Sequence, residues 1–195
     1  RSVALRALTG SLTQDPLPVL LEAAERDPSE DVRCAAIACI GSVRQNPARV
    51  TDALGALYAK YPVARIRSAA LDAAANLGTD QAFTFLARVA HDEADADLQT
   101  AAIDYLGIAG RDKKRNLEIL SEIFRTLPGD RQRARDAALY GIAEVGNDRA
   151  VELLSEVARS DKDFALRRNA VFYLGNIGGE KARRALRVIF HQPTR

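Results

Sequence analysis

Few residues in this chain are of a type that does chemistry. Histidine occurs only as His91 and His191, and cysteine only as Cys34 and Cys39. His91 opens the run His91-Asp-Glu-Ala-Asp95, a set of nitrogen and oxygen donors. A metal centre would need a second histidine or further ligands at helical spacing, and none stands near it. Nucleophilic catalysis needs a base beside a hydroxyl or thiol, and neither histidine has such a setting. Cys34 and Cys39 lie five residues apart on a helical stretch, so their side chains point about 140° away from each other. That geometry suits neither a disulfide nor a zinc site. No glycine-rich phosphate loop is present, because Gly175-Asn-Ile-Gly178-Gly179 reads as a helix end closed by a left-handed glycine. No catalytic residue, metal site or cofactor is expected.

Two other groups remain. Arg33, Arg67, Arg135 and Arg167 form a row at regular spacing, broken only by Gln99. Tyr140, Arg168, Phe172, Tyr173 and Asn176 fall together towards the C-terminal end. A row of guanidinium groups could bind phosphates, whereas tyrosine and arginine are enriched where proteins grip one another. Which of these is possible depends on the elements that carry them.

Those elements repeat. Segments 32–44, 66–78, 98–110, 134–146 and 166–178 align without a gap. Their fifth column is alanine throughout (Ala36, Ala70, Ala102, Ala138, Ala170), and their tenth is always glycine or alanine. Apolar residues at columns 1, 5, 8, 9 and 12 trace one face of a helix. A second helix precedes each copy, over 18–24, 50–58, 82–90, 116–124 and 150–158. Leu20, Leu54, Leu86, Leu120, Leu154 and Leu186 mark these first helices at spacings of 34, 32, 34, 34 and 32 residues. A two-helix unit at that period is the signature of an α-solenoid. Asn46, Asp80, Asp112 and Asp148 are expected as N-caps of the first helices.

The segments Asp31-Val-Arg-x-Ala-Ala-Ile-x-x-Ile-Gly, Ile66-Arg-x-Ala-Ala-Leu and Leu166-Arg-x-x-Ala-Val-x-x-Leu-Gly-x-Ile-Gly resemble the second helix of HEAT repeats. They are most similar to the short bacterial kind found in phycobilisome-lyase-like proteins. The resemblance covers essentially the whole chain. It implies an all-α fold, a right-handed α-α superhelix of about five to six HEAT-type helix pairs. It also implies a scaffold for protein partners, with the second helices lining the concave surface. Other branches of the family are bilin lyases, hydroxylases that hold metal through His-Glu pairs, or enzymes that excise alkylated bases from DNA. The residues those lyase and hydroxylase chemistries need are missing here.

Helical geometry separates the two groups of side chains. Column two, which holds the arginine row, points towards the apolar side, so Arg33, Arg67, Arg135 and Arg167 are expected as a structural ladder bonded to turn acids such as Asp31 or Asp97. Columns three, seven and eleven point outwards. In the first copies they carry small or polar side chains such as Cys34, Ser68 and Asp72; in the last they carry Tyr140, Arg168, Phe172 and Asn176, with Tyr173 on the border. These five are the expected contacts for a protein or peptide partner on the concave face.

Charge and length narrow the classes further. The net charge is +2, from −3 over residues 1–98 (10 basic, 13 acidic) and +5 over residues 99–195 (18 basic, 13 acidic). That is too little excess to favour nucleic acid. No apolar run approaches the roughly 20 residues that a membrane helix requires. The thiols leave the compartment open, with cytoplasm slightly favoured. With no linker or low-complexity stretch, residues 1–195 read as a single solenoid domain, and half-repeats at 1–8 and 182–190 suggest a piece of a longer protein. The expected function is a non-catalytic protein-interaction scaffold. The alternatives are a nucleic-acid-binding HEAT-like protein using the basic half, or a structural extension of an enzyme whose catalytic domain lies elsewhere.

Overall fold

A computed structural model describes residues 15–109 and 112–191, and these form eleven helices with no strand among them. The helices come in pairs: α1 (Leu17–Arg26) with α2 (Glu30–Ile40), α3 (Pro47–Lys60) with α4 (Ala64–Leu77), and α5 (Asp80–Asp92) with α6 (Ala96–Ala109). Then come α7 (Lys113–Thr126) with α8 (Gln132–Val145), α9 (Asp148–Ser160) with α10 (Phe164–Ile177), and the unpaired α11 (Gly179–His191). The half-repeat expected at 1–8 lies outside the described residues. The chain divides into two compact units, Arg1–Tyr105 and Leu106–Arg195. Within each, helices pack on their own partner and on the equivalent helices of the next pair, which is the α-solenoid arrangement.

The repeat columns explain that packing. All five alanines of column five are fully buried, and so are Leu20, Leu54, Leu86, Leu120 and Leu154 of the first helices. The alanines are small enough to let the two helices of a pair approach, and the leucines fill the space between pairs. Column ten sets how closely successive second helices meet. In the first unit, a Cβ added at Gly41 of α2 would stand 2.6 Å from the carbonyl oxygen of Ala73 in α4, closer than real atoms come. Only glycine fits there. In the second unit, a Cβ at Gly175 of the same column would meet nothing within 4 Å; Gly141, at column eight, instead faces the first helix of its own pair, where an added Cβ would lie 2.7 Å from a methyl of Leu120.

Helix ends follow short-range chemistry, with corrections to the expected caps. The side chains of Asn46 and Asp112 accept bonds from the backbone amides of Arg49 and of Lys114 and Arg115, as N-caps do. In place of Asp80 and Asp148, the caps are Thr79 and Asn147, one residue earlier, bonded to the amides of Ala82 and Ala150. Asp80 and Asp148 instead occupy the first turn, where a carboxylate complements the positive end of the helix. Gly178 closes α10 at φ 65° and ψ −154°, so it needs glycine but is not in the left-handed helical well expected for it.

Candidate functional site

The expected partner-binding residues all lie on α8 and α10 in the second unit. Tyr140 and Phe172 are exposed, Phe172 by 63%, and Arg168 and Asn176 are exposed one turn to either side of Phe172. Tyr173 is half-buried and joins the two helices: its ring meets Tyr140 edge-on at 5.9 Å between centroids, and Phe172 at the same distance. Its hydroxyl donates to Oδ1 of Asp136 at 3.2 Å, and the Asn169 amide donates to the same oxygen at 2.9 Å. Nothing in the sequence singles out Asp136 and Asn169. They hold Tyr173 upright, so that its neighbours form a continuous aromatic strip with a polar base.

The first unit carries a plainer version of this join. The Tyr105 hydroxyl donates to Asp72 at 3.3 Å, and burial together with that carboxylate pushes the phenol up to about 12. The surrounding outward positions are Ser68, Asn76, Thr100 and Asp104, with no aromatic companion. Cys34 is half-buried and Cys39 buried; neither is in a disulfide, and burial pushes the Cys34 thiol up. Among the described residues, no group of three histidine, cysteine or carboxylate side chains could hold a metal ion, and no helix is long and apolar enough to cross a membrane.

The column-two residues turn inwards and bond to helix ends. Arg33 Nε donates to the carbonyl of Ala24 at 2.9 Å, Arg67 Nε to that of Tyr58 at 3.2 Å, and Gln99 Nε2 to that of Ala90 at 3.2 Å. Each acceptor lies four residues beyond the leucine of its first helix, where helical carbonyls lack partners. Glutamine reaches the same acceptor as arginine, which accounts for the one break in the row. The guanidinium groups also stack on rings: Arg33 on Tyr61 and Arg67 on Tyr58, each at 4.4 Å, Arg135 on Phe124 at 4.5 Å, and Arg167 on Phe164 at 5.4 Å.

The carboxylates met by Arg67 and Arg135 are Glu93 and Asp161, contributed by the turn of the following repeat, and not Asp31 or Asp97. Arg67 lies 3.4 Å from Glu93, and Arg135 Nη2 donates to Asp161 at 2.7 Å. Asp31 pairs with Arg65 at the surface. Burial would raise the Glu93 carboxyl, but hydrogen bonds from the Tyr58 hydroxyl and the Asp95 amide, with Arg67, hold it below the usual range. Asp161 is likewise held low against its burial, by the Asp163 amide and Arg135.

The second unit also contains a cavity of about 780 Å³ beside Arg135. Its floor is apolar, with Phe124, Leu139, Ile142, Leu153 and Val157. Its rim carries Arg125, Gln132, Glu156, Asp161, Lys162 and Gly129. Arg135, Leu139 and Ile142 project from a different side of α8 from Asp136 and Tyr140, so the cavity and the aromatic strip are separate features.

The profile of HEAT repeats matches residues 1–73, 17–107 and 117–195. The chain belongs to the HEAT-repeat family. Among solved structures, this HEAT-repeat protein is similar to a chain of the complex of CpcE and CpcF of phycocyanin lyase from Nostoc sp. PCC7120, at 21% identity and a TM-score of 0.50, covering 95% of this chain and 74% of that one. That likeness concerns the fold. A de novo designed 16-helix transmembrane nanopore also aligns, at 18% identity over 96% of this chain and 57% of that one, with a TM-score of only 0.20. No curated protein matches. The HEAT-repeat register makes the cavity intelligible, although the sequence alone did not point to it. Phe124, Leu153 and Asp161 stand where the first unit has Tyr58, Phe85 and Glu93.

Proposed function

We propose that this HEAT-repeat protein is a non-catalytic scaffold that binds a protein or peptide partner on its concave, second-helix side, through Tyr140, Arg168, Phe172, Tyr173 and Asn176. The observation that carries this reading is the exposed aromatic strip of α8 and α10, with Tyr173 fixed by Asp136 and Asn169. Aromatic rings with few rotatable bonds lose little entropy on binding, and arginine beside them is the usual companion at interface hot spots. Among the described residues Arg168 has no ion-pair partner, which leaves its guanidinium available. The similar fold in the CpcE–CpcF complex belongs to a chain that stands in a complex with another protein, in keeping with this reading.

Arg33, Arg67, Arg135 and Arg167 act here as a structural ladder. Their contacts with helix-end carbonyls, rings and turn acids leave them poorly placed for a phosphate backbone. The net charge is only +2. Because affinity for duplex DNA falls steeply with salt for every phosphate neutralised, any such binding would be weak at physiological salt.

The test is a photo-crosslinking amino acid placed at position 172 in cells of the source organism, followed by the affinity of the purified captured protein. Fluorescence anisotropy with duplex and single-stranded DNA runs beside it. The expected result is one dominant protein partner whose binding tolerates physiological salt. Tight DNA binding that survives the same salt would overturn the proposal.

A further inference from the structure

We propose that the partner segment gripped by the aromatic strip carries an acidic and a basic residue on either side of an apolar one, its carboxylate meeting Arg168 and its cation meeting Glu144. This rests on the strip being the partner site and adds the chemistry that the partner must present. The strip has a definite axis. Asp136 on α8 meets Asn169 on α10, 33 residues away, and one turn further on Tyr140 meets Tyr173 at the same offset. Two helices that keep a constant offset run side by side in the same direction. In that register the outward residues form three levels: Asp136 and Arg168 at the start, Tyr140 and Phe172 in the middle, Glu144 and Asn176 at the end.

The charges on this face are separated along that axis. Of the charged side chains that α8 and α10 carry, Arg135 pairs with Asp161, Arg167 donates to the carbonyl of Asp161, and Asp136 is taken up by Tyr173 and Asn169. What reaches solvent is Arg133 and Arg168 at the start and Glu144 at the end. In the turn before α10, Asp163 accepts from the amides of Ala165 and Leu166 and from the Gln132 side chain. Asp130 and Lys162, exposed in the turns beside that end, cancel in charge. Among the described residues, neither Arg168 nor Glu144 makes an ion pair. In the first unit the cation that matches Arg133 is Arg65, already paired with Glu30 and Asp31, and Asn76 holds the position of Glu144.

Helix stability alone would place these charges the other way round. Carboxylates stabilise the N-terminal end of a helix and cations the C-terminal end. In α8 the first turn has no acid and the last no base; Arg133 stands in the first and Glu144 in the last. Local choices that work against the element carrying them gather at functional sites. Because α8 and α10 run the same way, their dipoles add to the side-chain charges, favouring an anion at the start of the strip and a cation at its end. From Arg168 to Glu144 is about two and a half turns, roughly 12–14 Å along the axis. An extended segment covers that distance in about four residues, which leaves room for an apolar side chain over Tyr140 and Phe172 between the two charges.

The experiment selects phage-displayed random peptides, about 12 residues long, on the whole chain, with Tyr140→Ser/Phe172→Ser as the counter-target. The enriched peptides should share an acidic and a basic residue on opposite sides of an apolar one. A synthetic copy of the strongest should bind Arg168→Glu and Glu144→Lys each about fivefold or more weakly, the size of one surface ion pair lost. Exchanging the peptide's acid for lysine should restore binding to Arg168→Glu alone, and exchanging its base for glutamate should restore binding to Glu144→Lys alone. Both positions are exposed, so Tm should hold; if either reversal does not fold, Arg168→Gln and Glu144→Gln should weaken binding in the same direction. Peptides that need Tyr140 and Phe172 but lack the flanking charges, or reversals without effect or without rescue, would overturn this inference and leave the partner site standing. A selection yielding no peptide that depends on Tyr140 and Phe172 would overturn the partner site, and this inference with it.

Discussion

The two units of this protein solve the same packing problem with different side chains. In the first, Arg67 is bonded to a helix-end carbonyl, stacked on Tyr58 and paired with Glu93, and Phe85 closes the space around them. In the second, Arg135 keeps the stacking and the carboxylate but loses the carbonyl, and a cavity lies beside it. The outward faces differ too. Tyr105 and Asp72 make an isolated bond in the first unit, whereas Tyr173 and Asp136 support an aromatic strip in the second. A repeat frame that is nearly uniform therefore lets one unit serve as packing while the other keeps its larger surface features free.

The largest expected effect breaks the frame itself. Gly41→Leu drives a side chain into the backbone of Ala73 and should destabilise by about 3 kcal/mol or more, whereas Gly175→Ala meets nothing and should be neutral or gain up to about 1 kcal/mol from helix propensity. Urea unfolding of both variants checks the contrast, and equal costs would mean that the columns have been assigned to the wrong faces.

Next comes the arginine column. Arg67→Ala removes a backbone bond, a stacking contact and a buried carboxylate partner, and should cost roughly 2–3 kcal/mol in urea unfolding. Arg135→Ala removes one bond fewer and should cost about 1–2 kcal/mol. A larger loss at Arg135 would contradict the difference between the units.

The acid dependence is a smaller effect. Glu93 and Asp161 both have their folded values lowered. Their stabilisation is thus complete above the unfolded values near 4.3 and 3.9 and is lost as pH falls through the lower folded ones. Glu93→Gln should lower the urea midpoint at neutral pH by the equivalent of about 1–2 kcal/mol, and the gap from the parent should narrow below about pH 3. A gap that stays constant down to that pH would show that Glu93 is not held as a stabilising carboxylate.

Much of this was legible in the sequence because it is carried by period. Alanine at Ala36, Ala70, Ala102, Ala138 and Ala170 fixes the buried face of each second helix without reference to any neighbour. The aromatic strip was legible for the same reason, since Tyr140 and Phe172 share a column that points outwards. What escaped was pairing across repeats. Asp31 and Asp97 are near the arginines along the chain, yet the carboxylates that reach Arg67 and Arg135 come from 26 residues further on. Thr79 and Asn147 took the capping positions because a cap sits one residue outside the helix and a first-turn acid one residue inside, a distinction that composition does not draw. The cavity needed the register before Phe124, Leu153 and Asp161 could be recognised as the small members of their positions.

Smallest in its effect on stability, and most direct for function, is the double substitution Tyr140→Ser/Phe172→Ser. Both side chains are exposed, so unfolding should shift by no more than about 0.5–1 kcal/mol. The decisive measurement is the affinity of the purified partner for this variant, with Asn76→Ala on the corresponding face of the first unit as control. Binding is expected to weaken by about tenfold or more, as loss of hot-spot aromatics does, while the control binds as the parent does. Unchanged affinity in the double variant, or an equal loss in the control, would contradict a partner site on the aromatic strip.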